Sequence, residues 1–165
     1  MSACAAALEA LLEQGADAWR GLPTGCHPGE IPIADLDLSP GMADLGRRKA
    51  FFRFGALAGS PVQLWTTTDE QEVLMLAVES PPFVATGSAA EEQLGAPERR
   101  LDSARGTVPL PQSEWIYAER GLAVFVDPDA DQAWRATLFR TCTPEEYEAE
   151  FRVDLLERRL PRPRY

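Results

Sequence analysis

The chain has 165 residues, is 45% hydrophobic, and carries 26 acidic against 16 basic residues, for a formal net charge of −10. This length allows one hydrophobic core, and the composition is that of a folded domain. The negative charge argues against nucleic acid and anionic membrane as partners, and favours a neutral or cationic ligand or a basic protein. All the bases except Lys49 are arginines, a bias that indicates a GC-rich bacterial genome.

The cysteines and the N-terminus favour the cytoplasm. Cys4, Cys26 and Cys142 lie far apart without CxxC spacing, so we expect a reducing compartment, no disulfide framework and no zinc site. Glu9 and Glu13 interrupt the apolar run near the N-terminus, which argues against a secretory signal. No apolar stretch approaches the ~20 residues that cross a bilayer. We therefore expect a cytoplasmic protein that does not bind membrane.

The first elements in chain order are a helix and an irregular connection. Apolar residues at helical spacing predict an amphipathic helix over residues 3–19. Glycine and proline recur through residues 24–46, where no long periodic run occurs. This segment is predicted to be irregular, with a short helix near residues 28–33.

Six strands are predicted next, in two groups of three. Their aromatic and β-branched content favours strands, at residues 49–54, 62–68, 72–79, 114–118, 122–126 and 132–139. One more edge strand is expected around Val108. The sequence Asp127-Pro128-Asp129 predicts the turn between the last two strands.

Two further helices are predicted from their caps. Ser88 with Glu91 three residues later has the spacing of a capping box, and this helix should end at Leu94, before Gly95. Thr143 followed by Pro144 predicts the start of a C-terminal helix.

The order of these elements predicts an internal repeat within a single domain spanning residues 1–165. The two repeats cover residues 24–82 and 86–144, followed by the C-terminal helix at 144–158 and a basic tail at 159–165. The predicted class is α+β. Two related helix-plus-three-strand antiparallel meander modules would form one curved sheet with the helices on one face.

Three short motifs between residues 90 and 140 resemble the tandem repeat of the small outer-membrane assembly lipoproteins and the beta-lactamase inhibitor proteins. The motifs are Leu94 to Pro97, Glu114 to Tyr117, and Leu122 to Phe125. The resemblance implies helices packed on an antiparallel sheet. It also implies protein binding, because these inhibitors bind a protein with a concave sheet surface.

Catalysis by a nucleophile or a metal has little support. His27 is the single histidine, and a Ser–His–Asp or Cys–His site would need it; a loop or capping role is the simpler interpretation. Asp127, Asp129 and Asp131 resemble the start of a calcium loop, but the glycine and closing glutamate are missing. No glycine-rich phosphate loop follows a strand. We therefore expect neither a metal nor a cofactor.

Five residues remain as weak candidates for acid–base catalysis. Asp35 and Asp37 would share one face of an extended segment, where two carboxylates could split their pKa values; a solvated face is the alternative. Tyr117, Glu114 and Glu119 could supply acid–base groups beside an aromatic platform.

Five aromatic residues are candidates for ligand or partner binding: Trp65, Trp115, Tyr117, Phe125 and Trp134. They either pack in the core against the helices or lie on an open sheet face. On an open face they would anchor a partner or stack on a flat ligand.

Three functions follow in order of preference. The first is a non-enzymatic cytoplasmic protein whose acidic, aromatic-bearing sheet face holds a basic partner, as an immunity or inhibitor protein does. The alternative is a small metal-free biosynthetic enzyme, a cyclase or isomerase acting on a hydrophobic metabolite, and the third is a structural subunit of an assembly. An enclosed pocket lined by Trp115, Tyr117 and Trp65 would favour the enzyme, and a shallow acidic face would favour the binding protein.

Overall fold

The computed structural model describes residues 2–102 and 112–153. Within these ranges, three α-helices accompany one antiparallel sheet of eight strands that does not close, so the α+β class is confirmed. The helices are α1 (Ala3–Gln14), α2 (Gly87–Leu94) and α3 (Pro144–Glu150). The strands are β1 (Gly41–Leu45), β2 (Arg48–Leu57), β3 (Ser60–Thr66), β4 (Val73–Glu79), β5 (Arg99–Asp102), β6 (Ser113–Tyr117), β7 (Leu122–Asp127) and β8 (Gln132–Phe139).

The strand order across the sheet is β1-β2-β3-β4-β8-β7-β6-β5. The first four strands form one meander and the last four form another. The meanders meet where β4 pairs with β8 and Leu76 lies opposite Leu138. Within the described ranges, β1 and β5 are therefore the two edge strands.

Both faces of the sheet are apolar and both are covered by helix. Side chains alternate between the faces of a strand, and β4 and β7 are buried along nearly their whole length. On one face of the sheet, which we call the α1 face, α1 and α2 pack against the strands. Their shared core includes Leu8, Leu11, Leu64, Leu76, Ala90, Val124 and Leu138. On the opposite face, which we call the α3 face, α3 packs against the strands. This second core includes Trp65, Met75, Ile116, Phe139, Tyr147 and Phe151.

The expectation that all helices lie on one face is therefore wrong for α3. The rings of Tyr147 and Phe151 lie 4.8 and 5.1 Å from the ring of Phe139, on the face opposite α1. The physical reason is that strands buried on both sides need an apolar cover on each side.

Each meander has one more strand than predicted. β1 lies within the segment 24–46 that was expected to be irregular, and β5 follows α2. Neither strand contains a β-branched residue, so the compositional signal for strands was absent. A two-residue turn joins β1 to β2, with Gly46 at a φ of 61°. The edge strand expected around Val108 lies outside the described residues.

The first helix is shorter than predicted. α1 ends at Gln14 because Gly15 adopts a φ of 93° while its N–H donates to the Leu11 carbonyl. Residues 16–18 form a single 3₁₀ turn instead of continuing the helix predicted to residue 19. Glycine enters this region of φ without the steric cost that a side chain brings.

The cap predicted for α2 is wrong by two residues. Thr86 Oγ1 accepts the Ala89 N–H at 2.9 Å, so Thr86 is the cap. Ser88 instead donates from its hydroxyl to Asp131 Oδ2 at 2.6 Å, and this bond joins α2 to the β7–β8 turn. The predicted end of this helix before Gly95 is confirmed.

The cap of the last helix is confirmed, but its predicted length is not. Thr143 Oγ1 accepts the Glu146 N–H at 3.1 Å. α3 ends at Glu150, with Phe151 as its C-cap. Residues 154–165, which include the end of the predicted helix and the basic tail, lie outside the described residues.

A disulfide joins Cys4 to Cys26, with the two Cα atoms 5.9 Å apart. It ties the first turn of α1 to the connection that precedes β1. The expectation of a chain without disulfides is therefore wrong. Spacing was a poor guide because long-range contacts place the two cysteines: α1 packs on the sheet through Leu8 and Leu11, and the Val73 N–H at the start of β4 donates to the Cys26 carbonyl at 2.7 Å.

Candidate functional site

Two of the predicted aromatic anchors lie on the α1 face and are buried. The Trp115 indole donates to Ser113 Oγ at 3.0 Å, and the Tyr117 hydroxyl donates to the Gly95 carbonyl at 3.0 Å. The Arg100 guanidinium lies 4.3 Å from the centroid of the Trp115 ring. Burial raises the pKa of Tyr117 to about 12. Both aromatic side chains belong to the core, where they contact the chain itself.

The other three predicted anchors pack with the α3 face. Trp65 and Phe125 are buried, and Trp134 is half-buried. The rings of Phe125 and Trp134 lie 5.7 Å apart, and the Arg135 guanidinium lies 5.8 Å from the centroid of Phe125. Of the five predicted anchors, Trp134 alone keeps substantial exposure.

A buried polar cluster on the α3 face joins β6 to the end of α3. Glu114 is 6% exposed and accepts hydrogen bonds from the Tyr147 hydroxyl and from Arg152 Nε, the latter at 3.1 Å. The Gly46 N–H donates to the Arg152 carbonyl at 3.0 Å, so the β1–β2 turn is attached to the same segment. Sequence reasoning named Glu114 but missed its two partners, because they lie 33 and 38 residues further along the chain.

The electrostatics of this cluster suit a structural contact. Burial raises the pKa of Glu114 above its usual 4.5, while the hydrogen bond from Tyr147 and the charge of Arg152 oppose that shift. Burial, and then the Glu114 carboxylate, raise the pKa of Tyr147 well above 10.0. Tyr147 therefore keeps its proton at neutral pH and remains a hydrogen-bond donor to Glu114.

The acid–base groups predicted for an enzyme do not converge. Glu114 points to the α3 face, whereas Tyr117 packs in the core of the α1 face. Trp65 also lies on the α3 face, so it cannot line one pocket together with Tyr117. Glu119 is exposed beyond the end of β6, where its N–H donates to Glu98 Oε1 at 2.9 Å.

Asp35 and Asp37 lie near the opposite edge of the sheet, beside β2. The Asp37 N–H donates to the Phe54 carbonyl at 2.9 Å, and the Phe54 N–H donates to Asp37 Oδ2 at 3.0 Å. Asp35 has a φ of 54°, so the segment lacks the extended geometry that would place both carboxylates on one face. Asp37 extends the hydrogen bonding of β2, and Asp35 is exposed to solvent.

The single histidine has the capping role that the simpler interpretation gave it. His27 Nδ1 accepts the Gly29 N–H at 3.0 Å at the start of a 3₁₀ turn, Pro28–Glu30. The short helix predicted near this position is confirmed as that single turn.

The three cysteines form one disulfide and one half-buried thiol. A Glu30 carboxylate oxygen lies within 4.8 Å of the sulfurs of Cys4 and Cys26, but a disulfide has no thiolate to offer a metal. Cys142 is half-buried, and burial raises the pKa of its thiol to about 11. Little of this thiol is ionised at neutral pH.

The exposed apolar surface lies at the β1 edge of the sheet. Among the described residues, the large hydrophobic side chains that are exposed are Leu38, Met42 and Phe54, at 98%, 61% and 53%. We call these three residues the edge patch. Phe54 contacts Phe52 at 5.6 Å between ring centroids, and Phe52 contacts Trp65 at 5.1 Å. Phe54 is thus joined, through half-buried Phe52, to buried Trp65 of the α3 face.

The two edges of the sheet differ in charge. In β5, Arg99, Arg100 and Asp102 are three of the four residues, as expected of an edge strand protected against pairing. In β1, Asp44 is the single charged residue of five, and it pairs with Lys49 at 2.7 Å. The β1 edge is the less protected of the two.

No family model matches the chain, and no curated protein or solved structure matches it either. The resemblance to the assembly lipoproteins and the inhibitor proteins therefore gains no support from these comparisons. In the part of the chain that the structure describes, no helix has the length and apolar character needed to cross a membrane.

Proposed function

We propose that the chain is a non-enzymatic binding protein that holds a basic partner protein at the β1 edge of its sheet. The observation that supports this most is the edge patch, since Leu38, Met42 and Phe54 are all exposed. Met42 lies on β1, Phe54 lies on the neighbouring β2, and Leu38 follows Asp37, which hydrogen-bonds to the backbone of Phe54. Burying a large apolar side chain contributes roughly 1.5–3 kcal/mol. Exposed large apolar side chains at an unpaired sheet edge favour contact with another protein.

Charge supports a basic partner. The chain has a net charge of −10, which attracts cationic proteins over distances of about 10 Å. Asp35 and Asp37 are exposed beside Leu38 and form no ion pair within the described residues. Carboxylates at the rim of an apolar patch would favour lysine and arginine on the partner.

This proposal keeps the class of function expected from the sequence and changes its site. An immunity or inhibitor protein is the class that fits an acidic chain with a basic partner. The aromatic face expected as the binding surface is replaced by the edge patch, because Trp65, Trp115, Tyr117 and Phe125 are buried. We do not propose a cyclase or isomerase, since the groups it would use do not share a site.

The compartment and the evolutionary origin are part of the proposal. We propose the cytoplasm from the composition. Cys4 and Cys26 are 4% and 0% exposed, so the folded chain shields their disulfide from cytoplasmic reductants. We also propose one domain built from two related halves. The order β1-β2-β3-β4-β8-β7-β6-β5, in which each half has four strands, supports that relationship.

A double variant, Leu38→Ser with Phe54→Ser, tests the binding surface. Leu38 is 98% exposed, so its replacement should change the free energy of unfolding by no more than about 0.5 kcal/mol. Phe54→Ser loses the contact with the Phe52 ring in β2 and should cost about 1 kcal/mol, which leaves the fold intact. Affinity capture from the native host, quantified by mass spectrometry, should recover a basic protein with wild type and lose it with the variant. Ala130→Ser, at the exposed β7–β8 turn, is the control and should bind like wild type. A partner captured equally by the double variant would place the binding surface elsewhere.

A further inference from the structure

We infer that the partner binds as an extended segment that adds a strand to the sheet at β1. This inference rests on the proposed function, because it concerns the mode of binding at the same edge. Strand addition uses main-chain hydrogen bonds for affinity and alternate side chains for specificity. Three features of the β1 edge support strand addition: its backbone groups, the placement of the apolar side chains and its charge.

Among the described residues, the outward backbone groups of β1 pair with no other strand, so they can accept an added one. Leu45 lies opposite Arg48 across the two-residue turn at 46–47, and the pair that closes such a turn exchanges both backbone hydrogen bonds. Bonded and non-bonded pairs then alternate along an antiparallel ladder. Met42 and Asp44 therefore turn their N–H and C=O groups away from β2. Within the described ranges no strand lies on that side of β1.

The edge patch wraps around both faces of the sheet. Gly41 lies opposite Phe52, and Met42 lies opposite Phe51. Because side chains alternate, Phe54 shares a face with Phe52 while Met42 lies on the other face. A flat protein surface would cover one of these faces. An added strand has side chains on both, so it would cover Met42 and Phe54 together.

The charge along the edge defines the chemistry of the segment. Asp35 and Asp37 are exposed at the end of the edge next to Leu38, and Arg47 is exposed at the turn end. The segment should alternate apolar with polar residues, with its basic residues towards the Leu38 end. β1 itself has no bulge and no proline to oppose pairing.

A selected peptide is the probe for this mode of binding. A displayed library of ten-residue peptides is selected on the full chain, and the enriched peptides are measured by fluorescence anisotropy. Met42→Pro removes one outward N–H and should weaken binding at least roughly ten-fold beyond Met42→Ala, the matched control that keeps this N–H. In the wild-type complex, hydrogen exchange of the Met42 and Asp44 amides should slow by roughly ten-fold or more. This second readout decides the matter if the proline variant does not fold.

The outcomes separate the inference from the proposed function. Unchanged exchange at Met42 and Asp44, or equal binding by Met42→Pro and Met42→Ala, would overturn strand addition. The proposed function would still stand if Phe54→Ser weakened the same peptides. Peptides that bind Phe54→Ser and Leu38→Ser as well as wild type would overturn both. Enrichment of acidic peptides would overturn the assigned chemistry of the segment.

Discussion

Replacing Glu114 by alanine should lower the free energy of unfolding by about 3 kcal/mol. The change removes a buried acceptor from the Tyr147 hydroxyl, which is itself buried, and from Arg152. Arg152 is 39% exposed and can rehydrate, so most of the cost comes from Tyr147 and from the space left behind. Urea denaturation monitored by tryptophan fluorescence measures the loss.

Two variants make this test specific. Tyr147→Phe should cost about 2 kcal/mol, because a charged hydrogen bond is lost while the ring stays in the α3 core. Glu119→Ala is the control, since this exposed glutamate lies nearby on the chain, and it should stay within about 0.5 kcal/mol of wild type. If Glu114→Ala were as stable as the control, the cluster would not fix α3 on the sheet.

The same carboxyl group predicts a pH dependence with a definite sign. Burial raises the pKa of Glu114 in the folded chain above the 4.5 that it has in the unfolded chain. At a pH between the unfolded-state pKa and the folded-state pKa, the folded state therefore binds more protons than the unfolded state. The contribution of Glu114 to the free energy of unfolding is therefore present below pH 4.5 and is lost as pH rises through the folded-state pKa. Glu114→Gln should remove this component. The difference between wild type and variant should then change across the window in the direction that favours the variant at higher pH.

Replacing Cys4 and Cys26 together by alanine should lower the free energy of unfolding by about 3 kcal/mol. The disulfide closes a loop between residues 22 apart in the sequence, and its loss gives the unfolded chain back that conformational freedom. Thermal unfolding without reductant measures the effect, and intact mass under non-reducing conditions verifies that the disulfide is formed.

Cys142→Ala is the matched control for this variant. Cys142 is a free, half-buried thiol, so its replacement should have a smaller effect. Reductant should lower the stability of wild type and of Cys142→Ala to that of the double variant. A wild-type melting temperature that does not respond to reductant would contradict the stabilising role of the disulfide.

The strands in the middle of the sheet were predictable from the sequence because their residues are of the types that favour strands. β3, β4, β7 and β8 carry dense apolar and β-branched runs, and these appear close to their expected positions. β1 and β5 were missed because an edge strand needs apolar residues on fewer sides. The side of the sheet that α3 covers was also unpredictable, since both faces are apolar.

The candidate site shows the same division between local and long-range information. The capping role of His27 and the turn at Asp127 depend on neighbours within three residues, and sequence reasoning identified both. The partners of Glu114 and the Cys4–Cys26 disulfide depend on packing over larger separations. Exposure is equally non-local. Nothing in the local sequence around Phe54 distinguishes it from the buried Trp65.

Native mass spectrometry of the protein purified gently from its own host distinguishes a protein partner at the edge patch from a small-molecule ligand. We expect a protein-sized adduct on wild type that is lost when Leu38 and Phe54 are replaced by serine. An adduct of a few hundred daltons that survives this replacement would contradict this expectation, because it would show a small-molecule site away from the edge patch.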